Sequence, residues 1–136
     1  VNRVEDNGFQ SGTARGGLGI GLTGALTNDN RIEENAVNDN NGWGMQLTRP
    51  NGTAPLTGNV IVQNRAHGNQ RSGIALMGAA KGNSVLQNDA RANNLSGLPP
   101  CVHCNLVDLS TGPGDPNVFE RNLGTFNLTD PACLKP

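Results

Sequence analysis

The sequence predicts an all-β solenoid, a chain wound into stacked coils of short parallel strands. Three observations point there. A segment punctuated by asparagines keeps returning. A glycine-led pair of apolar residues follows several of its copies. The composition suits a thin core rather than a broad one. The clearest copy is Asn59-Val60-Ile61-Val62-Gln63-Asn64-Arg65-Ala66-His67-Gly68-Asn69, with asparagines five residues apart and small or apolar residues between them.

The same pattern runs from Asn30 to Asn40 and from Asn83 to Asn93. Shorter copies run from Asn2 to Asn7 and from Asn117 to Asn122. The first asparagines of successive copies are 28, 29, 24 and 34 residues apart. Periods of this length mark solenoids, propellers or arrays. Helical repeats would place apolar residues three and four apart. Here they lie two apart, and Asn or Gly interrupts every few residues. Three short strands separated by bends fill each period, which describes one coil of a parallel β-helix.

The second half of the repeat reads Gly19-Ile20-Gly21-Leu22, Gly44-Met45-Gln46-Leu47, Gly73-Ile74-Ala75-Leu76 and Leu106-Val107-Asp108-Leu109. Each is expected to be a strand with two apolar side chains on one face. The leading glycines allow a bend or a close backbone approach.

The rhythm N-x-I-x-x-N-x-V-x-x-N followed by G-I-x-L resembles the right-handed parallel β-helix repeat family, which includes pectate-lyase-like proteins. The resemblance covers residues 2–127 and implies a right-handed rod of about four to five coils. Residues 1–127 then form the repeats, and 128–136 a tail or cap. The family also implies carbohydrate-active, adhesive or periplasmic roles. The scaffold alone selects none of them, because function lives in sites grafted onto folds.

Stacked coils put equivalent residues about 4.8 Å apart. Ile32, Ile61, Val85 and Phe119 are expected in one internal column, and Val37, Ala66 and Ala90 in a second. Ile20, Met45, Ile74 and Val107 form a third, beside Leu22, Leu47, Leu76 and Leu109. Asn7, Asn35, Asn64, Asn88 and Asn122 are expected at one bend as a structural ladder. Asparagine tolerates left-handed backbone there, and stacked amides bond along the column. Polar excursions follow at 48–55, 94–105 and 110–116, where proline and glycine favour turns.

Composition narrows the partners. The formal charge of −1 offers no basic stripe for nucleic acid. No apolar run reaches the roughly 18 residues of a membrane span. Val1 falls inside a repeat, so upstream coils or self-association are expected at that end. Cys101, Cys104 and Cys133 supply too few ligands for zinc, and no metal or other cofactor is expected. A disulfide from Cys133 to Cys101 or Cys104 suits them better, which implies a secreted or periplasmic protein.

In the enzymes this chain resembles, substrate lies along one strand face and its flanking loops. Taking the glycine-led strand as that face puts Gly21, Gln46, Ala75 and Asp108 outward, with Trp43, Arg49, Arg71 and Lys81 nearby. Trp43 could stack on a sugar, while the cations meet carboxylates of an acidic polysaccharide. The simpler account has Trp43 covering apolar surface and the cations solvated. A glycosidase needs two carboxylates about 5–10 Å apart. Asp108 with Asp89 or Asp115 is the available pairing, and nothing singles it out. His67 and Arg91 share a register on adjacent coils, where solvation or repulsion is expected. In the register of Glu34 and Arg121 stand Gln63 and Gln87. Two functions therefore remain: a polysaccharide-interacting domain, with a lyase, hydrolase or epimerase as its enzyme form, or a self-associating structural solenoid.

Overall fold

The computed structural model describes residues 2–5, 17–23, 27–49, 55–95, 104–111 and 114–127. These residues are all-β, with ten short parallel strands and no helix. Along the chain run β1 (Arg3–Glu5), β2 (Ile20–Thr23), β3 (Arg31–Glu33), β4 (Ala36–Asn38) and β5 (Met45–Arg49). They are followed by β6 (Val60–Val62), β7 (Ile74–Gly78), β8 (Ser84–Leu86), β9 (Leu106–Ser110) and β10 (Val118–Glu120).

Three parallel stacks result. Sheet I orders β2-β5-β7-β9, and sheet II orders β3-β6-β8-β10. Sheet III pairs β1 with β4 and continues through single-residue bridges at Arg65, Asp89 and Leu123. Ile32, Ile61, Val85 and Phe119 pair in one column, as their two-residue phase requires. Met45, Leu47, Ile74 and Leu76 of sheet I meet Ile32, Ile61, Val85, Val37, Ala66 and Ala90 in one buried core.

Three rows of asparagines run alongside the sheets. Asn30, Asn59, Asn83 and Asn117 hydrogen-bond in turn, each Nδ2 donating to the next Oδ1 at 2.9–3.1 Å. Asn2, Asn35, Asn64, Asn88 and Asn122 do the same at 3.0 Å. Asn40, Asn69, Asn93 and Asn105 form the third row, and Asn105 Nδ2 donates to Thr125 Oγ1 at 2.8 Å.

Asn64 shows why these amides can be buried. Its Oδ1 accepts both the backbone N–H and the Nδ2–H of Asn35. Its own Nδ2 reaches Asn88 Oδ1 and the carbonyls of Ile32 and Val62. A buried amide without partners would cost about 1–3 kcal/mol. Here every lone pair and proton has a use.

The left-handed backbone falls one residue earlier than the sequence reading puts it. Glu34, Gln63, Gln87 and Arg121 have φ of 53–55°, each just before an asparagine of the second row. Their left-handed turn aims the following asparagine inward. At the first row this position is held by Asp29, Gly58 and Gly82, and at the third by Asp39, Gly68 and Ala92. The leading glycines Gly19, Gly44 and Gly73 serve close approach instead. A Cβ on Gly44 would lie 2.6 Å from the Gly73 carbonyl oxygen and 2.8 Å from Asn69 Nδ2.

Two registers differ from expectation. Asn2 rather than Asn7 meets Asn35, and Val4 pairs with Val37. Asparagines recur every five residues, so a five-residue slip leaves asparagine on asparagine and the two alignments look alike in sequence. Asn7 itself lies outside the described residues. In β9, Leu106 rather than Val107 pairs with Ile74, and Asp108 rather than Leu109 pairs with Leu76. Leu106, Val107 and Leu109 are all apolar, so composition allows either phase. The one found is compatible with Asp108, whose Oδ1 accepts from the Ser110 backbone N–H at 2.9 Å.

Replacing Asn64 with Ala leaves the Asn35 N–H without its acceptor and removes a donor from the Ile32 and Val62 carbonyls and from Asn88 Oδ1. The expected loss is about 3 kcal/mol or more, measured by urea unfolding. Exposed Gln63→Ala is expected to stay within about 0.5 kcal/mol of wild type.

Candidate functional site

The outward face of sheet I does not present the polar strip expected of it. Its facing positions are Gly21, Gln46, Ala75 and Val107. Ala75 and Val107 are buried with Cys104, and Trp43, Met77 and Leu109 pack against them. The result is a second apolar layer on the outer side of the sheet. Gln46 Nε2 contacts Met77 Sδ at 3.0 Å. The Arg71 guanidinium lies over the Trp43 ring, 4.1 Å from its centre. That cation occupies one ring face, which a sugar would otherwise need.

The structure therefore brings Trp43 together with Arg71 and Gln46 with Met77, and it disperses the rest. Arg49 ends β5 opposite Gly78. Lys81 lies beyond β7, with its Cβ near Gly114. Asp108 sits opposite Leu76 and accepts from Asn117 Nδ2 at 3.2 Å. Cys104 is buried, while Cys101 and Cys133 lie outside the described residues. Among the described residues, no group of three or more His, Cys, Asp or Glu side chains is placed to hold a metal ion.

A tighter polar cluster stands on sheet III. Asp89 accepts from Arg91 through both oxygens at 2.7 Å. His67 Nε2 lies 2.9 Å from Asp89 Oδ1, and Arg65 Nε donates to His67 Nδ1 at 3.1 Å. His67 and Arg91 are thus linked through a carboxylate rather than repelling each other. The Arg91 hydrogen bond, helped by His67, holds the Asp89 carboxyl down at about 2. Asp89 therefore stays ionised and cannot serve as the protonated member of a glycosidase pair.

The third feature is a column along one corner of the fold. Glu34, Gln63, Gln87 and Arg121, all exposed, precede the asparagines of the second row. Two recesses use this column. One of about 400 Å³ is lined by Glu34, Asn35, Ala36, Gln63 and Arg65. The other, about 230 Å³, is lined by Leu86, Gln87, Glu120 and Arg121. Each combines a carboxylate, an amide and a guanidinium, a set that can donate to and accept from hydroxyls and pair with a carboxylate. The signal for this column is already present in the dipeptides. Glu34-Asn35, Gln63-Asn64, Gln87-Asn88 and Arg121-Asn122 carry long polar side chains where Gly58-Asn59, Gly68-Asn69 and Gly82-Asn83 carry glycine.

A family model described as a right handed beta helix region matches residues 1–106. No curated protein and no solved structure matches the chain.

Asp89 gives a pH signature. Its folded-state pKa lies below the ordinary carboxylate value, so its ion pair contributes above about pH 4 and is lost as pH falls towards 2. With solvent screening of exposed Arg91, that contribution is about 1 kcal/mol. Asp89→Asn is expected to be less stable than wild type by about this amount at pH 7, and to converge with it in urea unfolding near pH 2.

Proposed function

The chain belongs to the right-handed β-helix family, and from that premise we propose that it is a polysaccharide-interacting domain, secreted or periplasmic, that binds an acidic glycan along its corner column. In this reading the three sheets are the faces of one rod of about four to five coils. The asparagine rows are the ladders along its corners.

One observation carries the proposal. Four non-glycine residues hold φ of 53–55° at successive levels of one corner. Left-handed backbone costs a non-glycine residue roughly 1–2 kcal/mol. At the other corners the equivalent positions are Gly58, Gly68 and Gly82, with the shorter side chains of Asp29, Asp39 and Ala92 at the rest. Glycine or a short side chain meets the same backbone demand at the other corners, so four long polar side chains in a row here point to a use for the side chains. They rise about 4.8 Å per coil, in step with an extended, repeating ligand. Gln63 and Gln87 would bond hydroxyls, while Arg65 and Arg121 would meet carboxylates.

The test follows from the same argument. The double variant Gln63→Gly, Gln87→Gly should unfold at the same temperature as wild type or higher. Its affinity for an oligo-uronate should fall about tenfold, the cost of two lost hydrogen bonds. Calorimetric titration at low and high salt checks both the loss and the ionic share of binding. Equal affinity in the two proteins would remove the corner from consideration.

A second reading is self-association, favoured by the exposure of Val118 in β10 and of Leu123 after it, at 41% and 53%. Leu123→Lys would then reduce assembly in sedimentation velocity at micromolar concentration.

A further inference from the structure

We propose that protonation of His67 releases the Arg65 guanidinium into the corner recess, making this site's hold on acidic ligands dependent on pH. The inference rests on the glycan reading only for its ligand. The switch is a property of the side chains themselves.

The geometry fixes the starting state. Arg65 Nε–H donates to His67 Nδ1 at 3.1 Å, which requires a lone pair on Nδ1. The imidazole proton is therefore on Nε2, which lies 2.9 Å from Asp89 Oδ1 but off the line of a hydrogen bond. Arg91 holds the far side of Asp89 through both oxygens. From the preceding level, the Asp39 backbone N–H donates to the His67 carbonyl at 2.9 Å, and the Asp39 carboxylate stands beside Gly68. The charged groups around the ring are thus Arg65, Asp89, Arg91 and Asp39.

An imidazolium has no acceptor. Once Nδ1 is protonated, it and Arg65 Nε are two donors and two like charges, so their contact cannot persist. The Asp89 carboxylate, 2.9 Å from Nε2, now attracts a full positive charge on the ring. His67 therefore stays, and Arg65 leaves. The asymmetry also follows from exposure: the His67 side chain is 20% exposed, whereas Arg65 is an exposed residue. Arg65 already lines the recess with Glu34, Asn35, Ala36 and Gln63. Glu34 offers the released guanidinium only an exposed, screened partner, which an incoming carboxylate can displace. Freed from His67, the guanidinium regains its full fork of donors for a bidentate contact.

The experiment uses the full chain and two readouts followed from about pH 8 to about pH 5. The first is nitrogen-15 NMR of the His67 ring and the Arg65 Nε–H. The proposal expects the Arg65 Nε–H to lose its hydrogen-bonded shift as Nδ1 gains a proton. The His67→Gln variant keeps an acceptor oxygen but has no titration, and should show no such change. If the Arg65 signal is unmoved while Nδ1 protonates, the proposal is overturned.

The second readout is titration with an oligo-uronate and its neutral methyl ester. A uronate stays ionised across this range, as aspartate does. Wild-type affinity for the oligo-uronate should rise roughly tenfold towards the acidic end, with His67→Gln flat and the ester insensitive to pH. Arg65 release without binding of either saccharide would uphold the switch and dismiss the glycan reading. Binding whose pH dependence persists in His67→Gln would overturn the switch and keep the glycan reading.

Discussion

The structure depends on a single requirement: an amide taken out of water must find a partner for each of its protons and lone pairs. Asn59, Asn64, Asn69, Asn83 and Asn88 are buried, with at most 2% exposure. Each donates to another asparagine that lies one level further along. The requirement propagates. Asn64 needs Asn35 on one side and Asn88 on the other, so the register of three successive segments is set together. Hydrophobic pairing alone would not do this, because Val, Ile and Leu accept neighbours shifted by two residues.

Satisfying the amides dictates the backbone. For the second row, an asparagine can turn inward only if the residue before it takes a left-handed turn, at φ of 53–55°. At other corners glycine relieves that strain at three positions. At the corner of Glu34, Gln63, Gln87 and Arg121 nothing relieves it, and four extended polar side chains stand outward as a result. A structural need inside the fold thereby creates a surface feature outside it. Fold and candidate site are linked at adjacent residues: one partner of each dipeptide stabilises the core while the other meets solvent.

The faces between the corners differ in what they leave available. Sheet I buries side chains on both sides, with Trp43, Met77 and Leu109 packed on its outer layer. This explains why Gln46 ends against a sulfur and Arg71 against an indole ring. Sheet III is narrower, with single-residue bridges after β4. Its alternating outward positions leave Arg65, His67, Asp89 and Arg91 free to satisfy one another. Among the described residues the largest ionic cluster therefore stands on this face, while the Arg31–Glu33 pair stands on sheet II.

The all-β class, the repeat and most core columns were legible in the sequence, because two-residue alternation and a recurring asparagine report local geometry directly. Ile32, Ile61 and Val85 are buried and aligned for that reason. Registers with two equivalent solutions were not legible. Asn2 and Asn7 are interchangeable by pattern, and so are Leu106 and Val107; the choice belongs to partners far away in the chain. The site was less legible still. Trp43 and Arg71 were visible as residue types, but their mutual stacking was not. Asp89 gained its place between His67 and Arg91 only when two levels of the chain were laid together. The sequence determined by itself that this chain stacks, since every segment carries the same short-range pattern. Tertiary structure alone decided which side chains meet, because those contacts join residues about two dozen or more positions apart, where no local pattern reaches.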